Sequence, residues 1–167
     1  MNDTNNGVAM LTEETRNTID HWVAKFPEDK KRSALIQSLI AAQEQNGGWI
    51  TAELTEAVAE YLELPPVWAH EVVSFYSMFF TEPVGRHKVN ICTNISCWLN
   101  GAEDLVAHAE KKLGVTLGGT TGDGRITLVR EEECLAGCCG APMAVVDGHY
   151  KENLDIEKLD ALLDGLE

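Results

Sequence analysis

Arg86-His-Lys-Val-Asn-Ile-Cys92-Thr-Asn-Ile-Ser-Cys97 is the stretch on which the fold of this chain turns. Arg86 to Ile91 alternates as a half-buried strand should, with Val89 and Ile91 on one side, and a cysteine pair follows at once. Further on, Ile126-Thr-Leu-Val129 reads as a second strand, and Cys134-Leu-Ala-Gly-Cys138 comes soon after it. Between the two, Gly101 to Leu113 has the helical period, with Leu105, Val106, Ala109 and Leu113 on its apolar face. A strand, a helix and a second strand normally make a parallel pair, so both cysteine loops are expected at one end of one sheet.

Downstream, Met143-Ala-Val-Val146 predicts a third strand, and Asp147-Gly148 is a hairpin signal before a fourth over His149-Tyr-Lys. Asp155 can cap a last helix carrying Ile156, Leu159, Leu162 and Leu163. The sheet is then mixed and four-stranded with flanking helices, which is what a thioredoxin-like domain offers.

Upstream the chain reads as helices. Thr12 caps a first helix through Thr15, Ile19, Trp22, Val23 and Phe26, stopped by Pro27. A second is expected from near Asp29, with Ala34, Leu35, Leu39 and Ala42 on one face, ending at Gly47-Gly48. Thr51 caps a third, and Pro65-Pro66 opens a fourth. The aromatic run from Phe75 to Phe80 reads as core or interface packing, with a cofactor cradle as the alternative. Trp49, Phe75, Tyr76, Phe79 and Phe80 are expected to leave an exposed apolar patch for docking. Pro83-Val84-Gly85 marks a boundary. The expected class is therefore α/β, a helical bundle over 1–83 followed by a thioredoxin-like domain over 84–167.

Four thiols in two close pairs suggest one metal centre. In a [2Fe-2S] cluster each iron needs two thiolates besides its bridging sulfides, which divides the ligands into Cys92 with Cys97 and Cys134 with Cys138. The plant-type ferredoxin pattern of three cysteines in one loop is not followed. Four thiolates also suit a structural zinc, and the spacings barely discriminate; unconnected buried thiols are a third reading. Thr93, Asn94, Ser96, Ala136 and Gly137 are small or polar and let backbone N–H groups approach sulfur, one of the means of setting a reduction potential. Glu131-Glu132-Glu133 beside Cys134 would lower that potential, or is simply a solvated acidic turn.

Composition removes several classes. The net charge is −14, from 13 basic and 27 acidic residues in 167, which argues against nucleic acid and anionic lipid as partners. No run approaches the apolar length of a membrane span. The first residues lack the basic and apolar regions of a signal peptide. The five cysteines are therefore placed in a reducing cytoplasm, where metal or redox work is commoner than disulfides. Gly118 to Gly124 is Gly-rich but precedes a strand, whereas a phosphate loop opens a helix, so it reads as a turn. His21, His70, His87, His108 and His149 show no ligand spacing. No hydrolytic triad and no Cys-x2-Cys dithiol is present, so no catalytic residue is assigned.

Several linked motifs carry a family resemblance: Pro83-Val-Gly-Arg-His87, Cys92-x4-Cys97, Gly124-Arg125 and Glu133-Cys134-Leu-Ala-Gly-Cys138-x3-Pro142, with Gly48-Trp-Ile50 and Phe75-Tyr-Ser-Met-Phe79 upstream. Over roughly residues 15 to 165 the chain resembles the 24-kDa (NuoE-type) subunit of NADH:quinone oxidoreductase, respiratory complex I. The resemblance implies a [2Fe-2S] cluster on Cys92, Cys97, Cys134 and Cys138, with no ligand role for Cys139 and none assigned to Trp98. It further implies an electron-transfer subunit with no complete catalytic site of its own. The expected partners are a NuoF-type flavoprotein subunit that binds NADH and FMN, and other peripheral-arm subunits such as the NuoG type. The expected place is cytoplasmic, at the inner membrane only through the assembled complex. Equivalent subunits of NAD-linked formate dehydrogenases and hydrogenases carry the same motifs and stay as alternatives, as does a zinc-stapled interaction module.

Overall fold

The computed structural model describes residues 7–130 and 134–167. The chain divides into two compact units, the first ending at Pro83 and the second beginning at Val84.

The first unit is helical. Helix α1 (Glu13–Val23) is opened by Thr12, whose side chain accepts the Thr15 N–H, with Glu13 and Glu14 in the first turn to complement the helix dipole. Helices α2 (Leu35–Gln45), α3 (Ala52–Tyr61) and α4 (Pro66–Phe75) follow. Thr51 caps α3 by accepting from Leu54 N–H, and Pro66 sits where a missing N–H costs nothing. Ile19, Leu35, Leu39, Ala42, Ile50, Leu54, Val58 and Leu62 meet in one core. Each fully buried Leu or Ile there contributes about 1.5–3 kcal/mol.

Two expectations change here. No α-helix starts near Asp29: Glu28–Ala34 is a 3-10 segment with a break at Lys30 (φ −121°, ψ 28°), and α2 begins at Leu35. The cationic run spreads to separate tertiary partners, Lys31 to Glu63 at 2.9 Å and Arg32 over the Trp68 ring at 4.2 Å. Phe79 is not part of an exposed patch either. It is buried in the core, while Phe75 is 77% exposed and Tyr76 and Met78 are also open. Gln43 enforces the division, since its side chain accepts the Phe80 N–H at 2.8 Å and donates to the Met78 carbonyl at 3.1 Å.

In the second unit the strands are β1 (His87–Ile91), β2 (Ile126–Val129), β3 (Ala144–Val146) and β4 (His149–Lys151), in the order β2-β1-β3-β4. β1 pairs with β2 in parallel and with β3 antiparallel, Val89 opposite Leu128 on one side and Val146 on the other. Helices α5 (Ile95–Leu99), α6 (Ala102–Leu113) and α7 (Ile156–Asp164) complete the unit. One face of the sheet, with Val89, Ile91, Ile126, Leu128, Ala144 and Val146, packs on Leu105, Val106 and Ala109 of α6 and Leu159 and Leu163 of α7. Lys112 reaches Asp160 and Asp164 of α7, and His108 reaches Asp160 at 2.8 Å, so the two helices are also joined by charge. The hairpin between β3 and β4 turns through Asp147 (φ 48°) and Gly148 (φ 81°), and Gly118 to Gly124 is a turn leading into β2. At Gly85 the chain passes so close to β2 that a Cβ would lie 2.9 Å from the Ile126 carbonyl carbon. The short α5 is not expected from the sequence; Asn94 caps it by accepting the Ile95 N–H, but five residues are too few to show a period.

Candidate metal centre

Parallel pairing of β1 and β2 sends both strands out at the same end of the sheet, and the cysteines follow them there. Cys92 sits directly after β1, and Cys97 lies within α5, both buried. Cys134 and Cys138 belong to the loop after β2 and are exposed, with their sulfurs 3.9 Å apart. Cys92 is within hydrogen-bonding reach of the thiols of both Cys97 and Cys134. The two loops are tied together as well: the Ser96 hydroxyl donates to the Cys138 carbonyl at 3.4 Å.

Met143, fully buried, forms the floor together with Ala102, Leu135, Ala141 and Val145. Its carbonyl accepts the Cys92 N–H at 3.0 Å, and its own N–H faces the Cys97 sulfur. A Cβ on Gly137 would lie 2.8 Å from the end of the Met143 side chain, so glycine lets the second loop press onto this floor. Ala136 holds φ at 61°, a left-handed conformation that costs a non-glycine residue about 1–2 kcal/mol.

Backbone amides favour the thiolate form around the candidate sulfurs. Ala136 N–H donates to Cys134 Sγ at 3.4 Å, the Leu135 and Asn94 amides lower Cys92, and the Met143 amide acts the same way on Cys97. Burial opposes ionisation at Cys92, but these N–H groups and the neighbouring thiols hold it below the usual thiol range. Burial pushes Cys97 up to about 11, reinforced by Cys92 and Cys138. Cys138 is raised too, first by its hydrogen bond with Cys134 and then by that thiol's charge. Four thiols cannot all ionise side by side without cationic compensation, and N–H donors aimed at sulfur suit the thiolate form. The donor set therefore fits an iron–sulfur cluster. Among the described residues no three Cys, His, Asp or Glu side chains converge on a point as ligands of a single ion would.

Cys139 is exposed, and its sulfur takes no hydrogen bond among the described residues. His87 belongs elsewhere: its Nδ1 meets the Asp147 carboxylate at 2.7 Å, at the far end of β1. The Glu131-Glu132-Glu133 run lies outside the described residues. Sequence reasoning missed α5 and the Tyr150 hydroxyl, which donates to the Leu135 carbonyl at 2.9 Å from β4. No local signal marks Tyr150, because its partner is fifteen positions away.

The chain is similar to the E-type subunit of NADH-quinone oxidoreductase from Rickettsia felis, 43% identical over 148 residues that span 89% of this chain and 88% of that protein. The second E-type subunit of the same enzyme from Rhizobium meliloti is 41% identical over 149 residues, 89% of this chain and 86% of its own. The mitochondrial NADH dehydrogenase [ubiquinone] flavoprotein 2 of Dictyostelium discoideum is 38% identical over 92% of this chain and 62% of its own. Among solved structures, a chain of NAD+-reducing [NiFe]-hydrogenase in the air-oxidized state superposes with a TM-score of 0.63 at 26% identity. That match covers 77% of this chain but only 22% of the hydrogenase chain. Residues 19–167 match the thioredoxin-like [2Fe-2S] ferredoxin family, and the chain belongs to that family.

Proposed function

We infer that this chain is the [2Fe-2S] electron-transfer subunit of an NADH:quinone oxidoreductase, of the NuoE type, and that Cys92, Cys97, Cys134 and Cys138 are the cluster's ligands. The carrying observation is the delivery of both cysteine loops to one end of a parallel strand pair, over a Met143 floor, with the Ala136 N–H on Cys134 Sγ. Relatives about two-fifths identical over nearly the whole chain bear the name of that subunit, which supports the respiratory complex over the alternatives. The hydrogenase likeness is weaker in sequence and supports a shared cluster domain.

When bound, the cluster supplies reversible one-electron transfer. The chain's own work is to hold it. Cys92 and Cys97 anchor one side from buried positions, while Cys134 and Cys138 close the other from a loop at the surface. The exposed side is where an electron can leave for a second carrier. Substrate chemistry then belongs to a NuoF-type flavoprotein partner with NADH and FMN, and NuoG-type subunits complete the arm. The open Phe75, Tyr76 and Met78 of the helical unit serve as a docking element. Among the described residues no helix is long and apolar enough to cross a membrane; attachment on the cytoplasmic side of the inner membrane, through the assembled complex, belongs to the same reading.

Anaerobic purification with iron, sulfide and zinc analysis tests the reading. Two irons and two sulfides per chain, with an S = 1/2 signal on reduction, is the expected result. Stoichiometric zinc without sulfide overturns it, and co-purification of a hydrogenase or formate dehydrogenase in place of the quinone-reducing partner reassigns the complex.

A further inference from the structure

The Leu135–Ala136 peptide is engaged at both ends. Its N–H, belonging to Ala136, donates to Cys134 Sγ at 3.4 Å. Its carbonyl, belonging to Leu135, accepts the Tyr150 hydroxyl at 2.9 Å. The peptide thus links an aromatic residue of β4 to a sulfur of the cluster loop, through one planar and polarisable group. A donor on the carbonyl side draws electron density toward oxygen and makes the N–H on the other side a better donor, as in any hydrogen-bonded chain.

We propose that Tyr150 is a positioning residue that raises the cluster's reduction potential by polarising and orienting the Leu135–Ala136 peptide against Cys134. The inference rests on the cluster reading above. An N–H donor on sulfur favours whichever state carries more negative charge, and that is the reduced one. Without the hydroxyl the N–H donates more weakly and the loop loses a tether, so the oxidised state gains. The tether matters because Ala136 keeps a left-handed backbone (φ 61°), which lasts only where neighbouring contacts hold it. Tyr150 is 56% exposed, so removing only its hydroxyl oxygen leaves the packing of β4 in place.

Tyr150→Phe in the complete chain, reconstituted and titrated anaerobically with dithionite, is the test, with His149→Ala as a control on the same strand. The expected shift is downward, about threefold in the one-electron equilibrium constant or ~28 mV at 59 mV per tenfold, with full iron and sulfide and an unmoved control. Proton ENDOR of the reduced protein after exchange into deuterium oxide should show one exchangeable coupling weakened in the variant. An unchanged or raised potential overturns the proposal. So does loss of iron and sulfide in Tyr150→Phe, because the hydroxyl would then build the loop rather than tune it. Wild-type protein without a [2Fe-2S] cluster removes the underlying reading and this one together, whereas a normal cluster with an unmoved potential removes only the role of Tyr150.

Discussion

Replacing Gly137 by alanine adds one methyl group where the second cysteine loop presses on Met143. Its Cβ would stand 2.8 Å from Met143 Cε and 3.4 Å from both Sδ and Cγ, inside ordinary contact for the first. The backbone is no obstacle, since Gly137 has φ −105° and ψ 37°. Loss of glycine's freedom in the unfolded chain even favours the variant by about 0.4–1 kcal/mol. Against that, overpacking against a buried side chain costs about 1–3 kcal/mol, and Met143 is 0% exposed. Overpacking wins, leaving a net loss of about 0.5–2 kcal/mol. Calorimetry of the cluster-loaded protein should show the second unit melting lower, by about 4–8 °C for each kcal/mol in a domain of this size. Iron release to a chelator should be faster. Met143→Leu shortens the obstructing side chain, so the double variant should recover part of the loss, with a coupling of about 0.5–1 kcal/mol. A Gly137→Ala protein as stable as wild type, or a double variant with no recovery, would refute the packing account.

The remaining predictions concern ligands, docking and pH. Cys138→Ser should lose the cluster or yield a labile one, whereas Cys139→Ser should keep full iron and sulfide; bleaching by Cys139→Ser alone would shift the ligand assignment by one residue. Phe75→Ser should reduce co-purification with the flavoprotein at unchanged iron content, and undiminished co-purification would move the interface elsewhere. His87 is raised from its ordinary 6.5, first by its bond to Asp147 and then by the Glu167 carbonyl, so its stabilisation is full below 6.5 and fades as pH rises through the raised value. Burial works against ionisation of Asp147, but His87 and the Lys88 N–H hold it below 3.8, so its share is present above 3.8 and fades as pH falls through the lowered value. Asp147→Asn should therefore cost more stability at pH 5.5 than at pH 8.5, up to about 1 kcal/mol because the pair is partly exposed; equal losses at both pH values would show that the ion pair contributes nothing.

Local chemistry was legible wherever it acts over a few residues. Thr12, Thr51 and Asp155 cap the helices expected of them, because an N-cap needs only an acceptor and a helix that follows. Alternation over Val89 and Ile91, the strand over Ile126-Thr-Leu-Val129 after an intervening helix, and the Asp147-Gly148 turn were enough for a mixed sheet with the first two strands parallel. Parallel pairing of those two strands put the two cysteine loops at one end. Errors fell where distant partners outweigh propensity. Lys31 and Arg32 answer to Glu63 and Trp68, which breaks the helix expected from Asp29. Gln43 decides that Phe79 goes inside while Phe75 stays out, although both lie in one aromatic run.

At the centre the division has the same cause. Thiol number and spacing are written in the chain, and with them the capacity for four soft ligands in two pairs. Which backbone N–H meets which sulfur is not, nor that Met143 lies under both loops, nor that Tyr150 reaches the Leu135 carbonyl. Those contacts join β1, β3, β4 and the loop after β2, and they exist only once the sheet has set its register. Hydrogen bonds and close packing act over a few ångströms, so residues far apart in the chain acquire such partners only by folding.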